Sequence, residues 1–373
     1  MKILTVFGTR PEAIKMAPVV KRLGERPDQF TSVVCVTAQH RRMLDQVLTL
    51  FDITPDYDLN IMRPDQTLAE VTANVLTELD AVLQAEKPDW VLTQGDTTTA
   101  MVGALAAFYR RIRVGHVEAG LRTWDKLRPF PEEINRRVAD AVSDLHFAPT
   151  ETARANLLRE GMDEAGIVVT GNTVIDALLE VASRDYDWDG SELANVPRDK
   201  RLILVTAHRR ESFGEPLRQI CAALGEIAGS FPNARIVYPV HPNPNVRSVV
   251  YDQLGGVENI TLLEPLEYLS FVQLMKASYL VLTDSGGLQE EAPSLGKPVL
   301  VLREVTERIE GVAAGTLKVV GTSQRGIVEE TARLLEGNAE YERMSRAINP
   351  YGDGHASERI VESLKTQSAA RTG

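Results

Sequence analysis

Cysteine is nearly absent from this chain, with two in 373 residues. Cys35 lies in the apolar run SVVCVTA and Cys221 in the helical pattern QICAAL. Thiols so far apart and so embedded read as small buried hydrophobes, which excludes a disulfide framework and a cysteine-based metal site. Histidine is sparse too. The six histidines never take the His-x-x-x-His spacing of a helical zinc site, so no metal is expected. No apolar run approaches the ~20 residues of a membrane helix. The apolar N-terminal segment stops at Gly8 and meets Arg10, too short for a signal peptide. A cytoplasmic protein without membrane contact is the expectation. A basic excess is also missing: the net charge of −11 argues against nucleic-acid binding. An anionic ligand must then be held by local Arg, Lys and helix termini rather than by the global field. Finally, Gly8 stands alone after the first apolar run, where a dinucleotide turn needs Gly-x-Gly-x-x-Gly, so NAD is disfavoured.

What is present is a long alternation of short apolar runs with helical patterns. Strands are predicted at Met1–Phe7, Ser32–Ala38, Trp90–Thr93, Val114–Val117, Leu145–Ala148 and Ile167–Thr170. Helical patterns lie between them, including Pro11–Leu23, with proline at its first position, and Leu68–Leu83. Ala100 to Phe108 is apolar on all sides, which predicts a helix buried between neighbours. Arg184 to Arg198 is polar and breaks the rhythm. The alternation resumes with strands at Leu202–Thr206, Arg235–Pro239, Ile260–Leu263, Tyr279–Thr283, Lys297–Leu302 and Leu317–Val320. The predicted fold is α/β: two Rossmann-like doubly wound parallel-sheet domains, 1–183 and 184–354, with a terminal helix and tail at 355–373 packing back on the first. In such sheets ligands sit beyond the carboxyl ends of the strands. Arg10, Asp96, Glu118, His208, His241 and Ser285 all follow predicted strands, which points to one interdomain cleft.

The most informative stretch runs from Thr283 to Arg308. A Gly286-Gly287 pair at a strand-to-helix turn lets the backbone approach a ligand, and first-turn N–H groups favour a phosphate. Glu290 and Glu291 point about 100° apart on a helix, so only one can face that ligand; Glu291 is assigned to the ribose hydroxyls. Taken alone, Ser285-Gly286-Gly287 is also an ordinary N-cap with a glycine turn. Asp96 and Glu118 end consecutive strands and should be neighbours. Glu132 or Glu133 opens a helix after the irregular stretch from Ala119. Carboxylates with His208 facing a phosphate turn suit acid/base chemistry on a sugar nucleotide. The bland readings are an Asp96 N-cap, two glutamates favoured in any first helical turn, and a solvated His208-Arg209-Arg210 turn.

The runs GTRPEAIKMAP, GDTTTA, GHVEAGLRT, PFPEEINRR, TAHRRESFGEP, YPVHPNP and TDSGGLQEEAPSLGKPVLVLRE, in that order from Gly8, resemble the non-hydrolysing UDP-N-acetylglucosamine 2-epimerases. The likeness extends through NPYGDG at Asn349–Gly354. It implies the glycosyltransferase-B architecture, a homodimer, no added cofactor, and interconversion of UDP-GlcNAc and UDP-ManNAc by elimination and re-addition of UDP. Matched motif by motif, it assigns catalysis to Asp96, Glu118, Glu132 and His208. It assigns Arg10 and Lys15 to the nucleotide sugar, Ser285, Gly286, Gly287 and Arg308 to the diphosphate, Glu291 to the ribose, and Leu266 and Phe271 to the uracil. The competing readings are a hydrolysing epimerase, a retaining glycosyltransferase and a non-catalytic nucleotide-sugar sensor.

Three positions depart from the pattern: Gln94 replaces a His, Arg128 a Ser and Ile309 a Pro. The resemblance also implies a second, regulatory UDP-GlcNAc site, with Gln39, Gln46, Gln66, Arg210 and His241 in its shell. Asp65 stands there where relatives place an Arg. Attraction to a diphosphate becomes repulsion, so weak effector binding is expected.

Overall fold

Runs of two to six residues become the strands of two separate all-parallel sheets. The computed structural model describes residues 1–37, 41–63 and 65–369, with the side chains of 41, 42, 368 and 369 excepted. The first sheet contains β1 (Lys2–Phe7), β2 (Thr31–Val36), β3 (Tyr57–Asp58), β4 (Trp90–Gln94), β5 (Arg113–Val117), β6 (Leu145–Ala148) and β7 (Ile167–Val169), in the order β3-β2-β1-β4-β5-β6-β7. The second contains β8 (Arg201–Thr206), β9 (Ala234–Pro239), β10 (Ile260–Leu263), β11 (Leu280–Thr283), β12 (Val299–Val301) and β13 (Leu317–Val319), in the order β10-β9-β8-β11-β12-β13. Both orders reverse beside the first strand, at β1/β4 and at β8/β11. That reversal is the topological switch point where doubly wound sheets take ligands.

The strands read as continuous apolar runs because crossover helices cover both faces of a parallel sheet. Ile3, Leu4, Val6 and Phe7 of β1 and Ile203, Leu204 and Val205 of β8 have no exposed surface. Each such side chain contributes about 1.5–3 kcal/mol by leaving water.

The chain divides into two compact units, 1–177 with 351–373, and 178–350. The polar stretch from Arg184 suggested a break a few residues later. The division instead falls inside the helix Thr173–Ser183. Its last carbonyls explain why: Gln273 Nε2 donates to Val181 O at 3.0 Å and Lys276 Nζ to Ala182 O at 2.7 Å, both from the helix Tyr268–Ala277. At the other junction the backbone N–H groups of Ala356 and Ser357 donate to the Asp176 carboxylate at 3.1 and 2.8 Å. Asp176 thus caps the helix Ala356–Ala369 within the first unit.

Some elements differ from expectation. β3 spans two residues, too few to show a period. The helix Pro244–Leu254 was hidden by the prolines at 242 and 244, yet Pro244 sits in the first turn and Asn243 caps it through the Asn245 N–H at 2.9 Å. The helix Thr98–Tyr109 is largely buried through Ala107, but Phe108 and Tyr109 are exposed at its end. Among the described residues no helix is long and apolar enough to cross a membrane.

Candidate functional site

In the first unit the switch point is tied together by Glu12. Thr9 and Glu12 form a capping box at the start of the helix Arg10–Gly24. The Glu12 carboxylate accepts from the N–H of Gly8 at 3.0 Å and of Thr9 at 2.7 Å, and from Thr97 Oγ1 at 2.6 Å. It thereby joins the turn after β1 to the turn after β4. Burial pushes the Glu12 carboxyl above its ordinary value, against these hydrogen bonds, which pull it down. The T-x-x-E spacing signals the cap, but not the reach across to Thr97.

The pairing of Gln94 with Val117 puts the ends of β4 and β5 side by side, so Asp96 and Glu118 emerge from adjacent strands. The helix cap after β4 is Thr97, whose Oγ1 accepts the Ala100 N–H at 3.0 Å, and the Asp96 carboxylate is not used for it. Asp96 Oδ2 instead accepts from Arg136 Nη2, while Asn135 Nδ2 donates to its carbonyl at 2.9 Å. Glu118 adopts φ +66°, a left-handed conformation unusual for a side-chain-bearing residue. Its Oε2 accepts from Lys15 Nζ at 2.5 Å and from Gln94 Nε2. The departure at Gln94 therefore keeps a donor on Glu118. Arg10, in the first turn of its helix, is half-buried.

Glu132 and Glu133 open the helix Glu132–Val142. Glu133 is fully buried and accepts from Thr123 N at 3.0 Å, Thr123 Oγ1 at 3.1 Å and Trp124 N at 3.2 Å. It holds the preceding loop. Glu132 Oε2 is buried without a hydrogen-bond partner, and Asn135 and Arg136 of the same helix bind Asp96. The structure thus brings Asp96, Glu118 and Glu132 to one edge of the first sheet.

Beneath them lies a buried charge network that sequence reasoning missed. His116 Nδ1 faces Asp140 Oδ1 at 2.6 Å, and His116 Nε2 faces the Gly95 carbonyl at 2.7 Å. Both ring nitrogens meet acceptors, so the ring is bound as an imidazolium. Burial works against that charge, but the Asp140 carboxylate and the Gly95 carbonyl outweigh it and raise the His116 pKa. Burial likewise opposes the Asp140 charge, and His116 and Arg122 overcome it and lower the Asp140 pKa. Arg122 Nη2 continues the chain to Asp140 and Glu160, each at 2.5 Å. The network fixes the Gly95–Asp96 turn from below.

In the second unit Thr206 pairs with Thr283 in register, and their hydroxyls lie 2.6 Å apart. This places His208 and Arg209, after β8, beside Asp284 and Ser285, after β11. Asp284 is fully buried, and its Oδ2 accepts from the N–H groups of His208 and Arg209, each at 2.7 Å. His208 is half-buried, not a solvated turn. Its ring stacks on His241, with centroids 5.0 Å apart and planes at 11°. Burial, His241 and Arg209 lower its pKa, and Asp284 opposes them.

Ser285 is the N-cap of the helix Gly286–Glu291 but makes no capping hydrogen bond through its side chain. The helix begins at Gly286. A Cβ on Gly286 would stand 3.2 Å from the Arg308 guanidinium and 3.4 Å from Arg209 Nη2, so two cations flank a bare backbone. Arg308 donates to Glu290 at 2.8 Å, and Tyr268 donates to Glu291 at 3.4 Å. Glu290 thus meets the Arg308 guanidinium and Glu291 the Tyr268 hydroxyl. Leu266 and Phe271 are half-buried at the start of the helix Tyr268–Ala277.

Of the expected regulatory shell, Gln39 lies outside the described residues. Gln66 Oε1 accepts the Arg63 N–H at 2.8 Å, Gln46 is half-buried, and Arg210 and His241 are exposed. Asp65 is exposed at φ +57°.

With this geometry in hand, the family model described as UDP-N-acetylglucosamine 2-epimerase matches residues 21–365. The UDP-N-acetylglucosamine 2-epimerase of Escherichia coli (strain K12) is 59% identical over 371 residues, covering 98% of each chain. The crystal structure of UDP-GlcNAc 2-epimerase from Neisseria meningitidis bound to UDP-GlcNAc is 52% identical, with a TM-score of 0.88 over 98% of this chain and 100% of that one. The Methanocaldococcus jannaschii enzyme in complex with UDP-GlcNAc and UDP is 36% identical, with a TM-score of 0.80 over 98% and 100%. At 11% identity and a TM-score of 0.67, over 98% of each chain, the glycotransferase of kitacinnamycin shows the shared glycosyltransferase-B fold alone.

Proposed function

The chain belongs to the UDP-N-acetylglucosamine 2-epimerase family, and on that premise we propose that it interconverts UDP-GlcNAc and UDP-ManNAc without hydrolysis. A carboxylate removes the proton from C2 of the sugar, the C1–O bond breaks, and its electron pair leaves with UDP. The product is 2-acetamidoglucal. Re-addition of UDP at C1, with a proton delivered to the opposite face of C2, gives the epimer. The reaction is reversible and serves bacterial cell-surface polysaccharide synthesis. The enzyme works in the cytoplasm as a homodimer and needs no added cofactor.

One observation carries the reading: Asp96, Glu118 and Glu132 share one edge of the first sheet, each in a different state. Glu118 is bound on one oxygen by Lys15 and Gln94, Asp96 is paired with Arg136, and Glu132 keeps a buried oxygen without a partner. Distinct environments suit distinct proton-transfer roles. The second unit supplies the nucleotide contacts: Ser285, Gly286, Gly287, Arg308 and Arg209 for the diphosphate, Glu291 for the ribose, and Leu266 and Phe271 for the uracil. His208 serves the departing diphosphate.

NMR of the products formed from UDP-GlcNAc tests this. UDP-ManNAc is expected, with no free N-acetylmannosamine. Free N-acetylmannosamine plus UDP identifies a hydrolase instead, and unchanged substrate identifies a binding protein.

A further inference from the structure

Asp284 is fully buried, yet only one of its carboxylate oxygens is used. Oδ2 takes both backbone N–H groups of the turn after β8. Oδ1 has no hydrogen-bond partner and faces His208 Nδ1 at 3.7 Å. An orphaned oxygen on a buried carboxylate demands an explanation. The separation suits Coulomb attraction but exceeds a hydrogen bond, and a ring displacement of about 1 Å closes it.

The surroundings hold the rest of the pair still. Tyr238 Oη donates to the Ala207 carbonyl at 2.6 Å, and Thr206 and Thr283 join their hydroxyls below. Asp284 therefore has little freedom, and the backbone before His208 has little more. His241 lies flat against the imidazole, and its own Nδ1 accepts the Asn243 N–H at 3.1 Å. That bond leaves His241 with its proton on Nε2 when neutral. The groups acting on His208 are thus Asp284 after β11, His241 after β9 and Arg209 in its own turn.

We propose that Asp284 is a positioning residue for His208, orienting the ring with Nδ1–H toward Oδ1 so that Nε2 faces outward to the reacting diphosphate. The proposal rests on the reading above that His208 serves the epimerase reaction. The pairing fixes a single tautomer. Burial, His241 and Arg209 keep the resting ring neutral, while the Asp284 charge favours the protonated form as negative charge gathers on departing UDP. A carboxylate serving only as a backbone clamp has no such effect on the ring.

The test is imidazole NMR on the full-length protein labelled with 15N-histidine, assigned through His208→Gln. In the unsubstituted protein the neutral His208 ring is expected to carry its proton on Nδ1; an Nε2–H tautomer overturns the proposal. Asp284→Asn keeps an acceptor for the two N–H groups and removes the charge. There the His208 titration is expected to move to lower pH by roughly one unit. Turnover should fall about tenfold or more, with a smaller change in KM. Lost turnover with an unmoved His208 titration contradicts the proposal and leaves Asp284 a clamp. If Asp284→Asn does not fold, the tautomer in the unsubstituted protein decides alone. Full activity of His208→Gln overturns the role of His208 in the reaction, a failure separate from that of the pairing.

Discussion

Glu133 commits its carboxylate to the loop before its helix, while its neighbour Glu132 keeps a buried oxygen unpartnered. Substitution should separate them. Glu132→Gln is expected to lower turnover by at least ~10²-fold, the low end for a general acid/base, with an unchanged melting temperature. Glu133→Gln should lower the melting temperature, because it turns an acceptor of backbone N–H groups into a half-donor; calorimetry and kinetics on both variants check this. Asp96→Asn and Glu118→Gln should match the loss seen at Glu132 while UDP binding, followed by calorimetric titration, changes much less. Full activity in all three variants removes the proposed chemistry. The sequence shows that Glu132 or Glu133 opens a helix, but which one is free depends on Thr123 and Trp124 folding back, and no spacing reveals that.

His116 belongs to the same scale. Its folded pKa lies above its ordinary value, so the stability it adds is full below the unfolded pKa and is lost as pH rises through the folded one. Asp140 is depressed, so its contribution is present above the unfolded value and fades as pH falls through the folded one. His116→Gln cannot titrate. The melting-temperature gap between it and the unsubstituted protein should be widest at mildly acid pH, below the ordinary histidine value and above the ordinary aspartate value, and narrow as the pH is raised through the His116 titration. A constant gap shows that His116 is held neutral.

Among the elements, strands were the most legible in the sequence. A parallel strand covered on both faces is a continuous apolar run, and β1, β8 and β11 read directly as such. The turns after β1 and β11 were legible as well, because Gly8 and the Gly286-Gly287 pair stand where a backbone must come close. A Cβ on Gly8 would lie 1.9 Å from Thr37 Oγ1. What stayed hidden was partnership across sequence distance, such as Asp140 under His116 and Asp284 under His208. At the start of the helix Gly286–Glu291, Gly286→Ala would bring a methyl against the Arg308 and Arg209 guanidiniums. KM for UDP-GlcNAc is expected to rise about tenfold, or ~1.4 kcal/mol, with kcat less affected. An unchanged KM means that the diphosphate does not approach Gly286.

For the molecule as a whole, the order of the six-stranded sheet repeats that of β1 to β6, to which the first sheet adds β7, and each unit places its candidate residues at its own switch point: carboxylates after β4 and β5 in the first, cations and a glycine turn after β8, β11 and β12 in the second. The net charge of −11 is compatible with the proposed diphosphate site, because Arg209 and Arg308 stand locally beside Gly286 and cations need not dominate the surface. The domain boundary was less legible than the topology, since polarity after Arg184 marks where the pattern breaks while the caps from Gln273 and Lys276 decide where the unit begins. In the proposed mechanism the proton on C2 is lost as UDP departs, and a solvent-derived proton is delivered to the opposite face as UDP returns. Incubation with UDP-GlcNAc in deuterated water, followed by NMR, tests it most directly. UDP-ManNAc carrying deuterium at C2 is expected; UDP-ManNAc that retains the original hydrogen, or free N-acetylmannosamine as the product, contradicts the proposed mechanism.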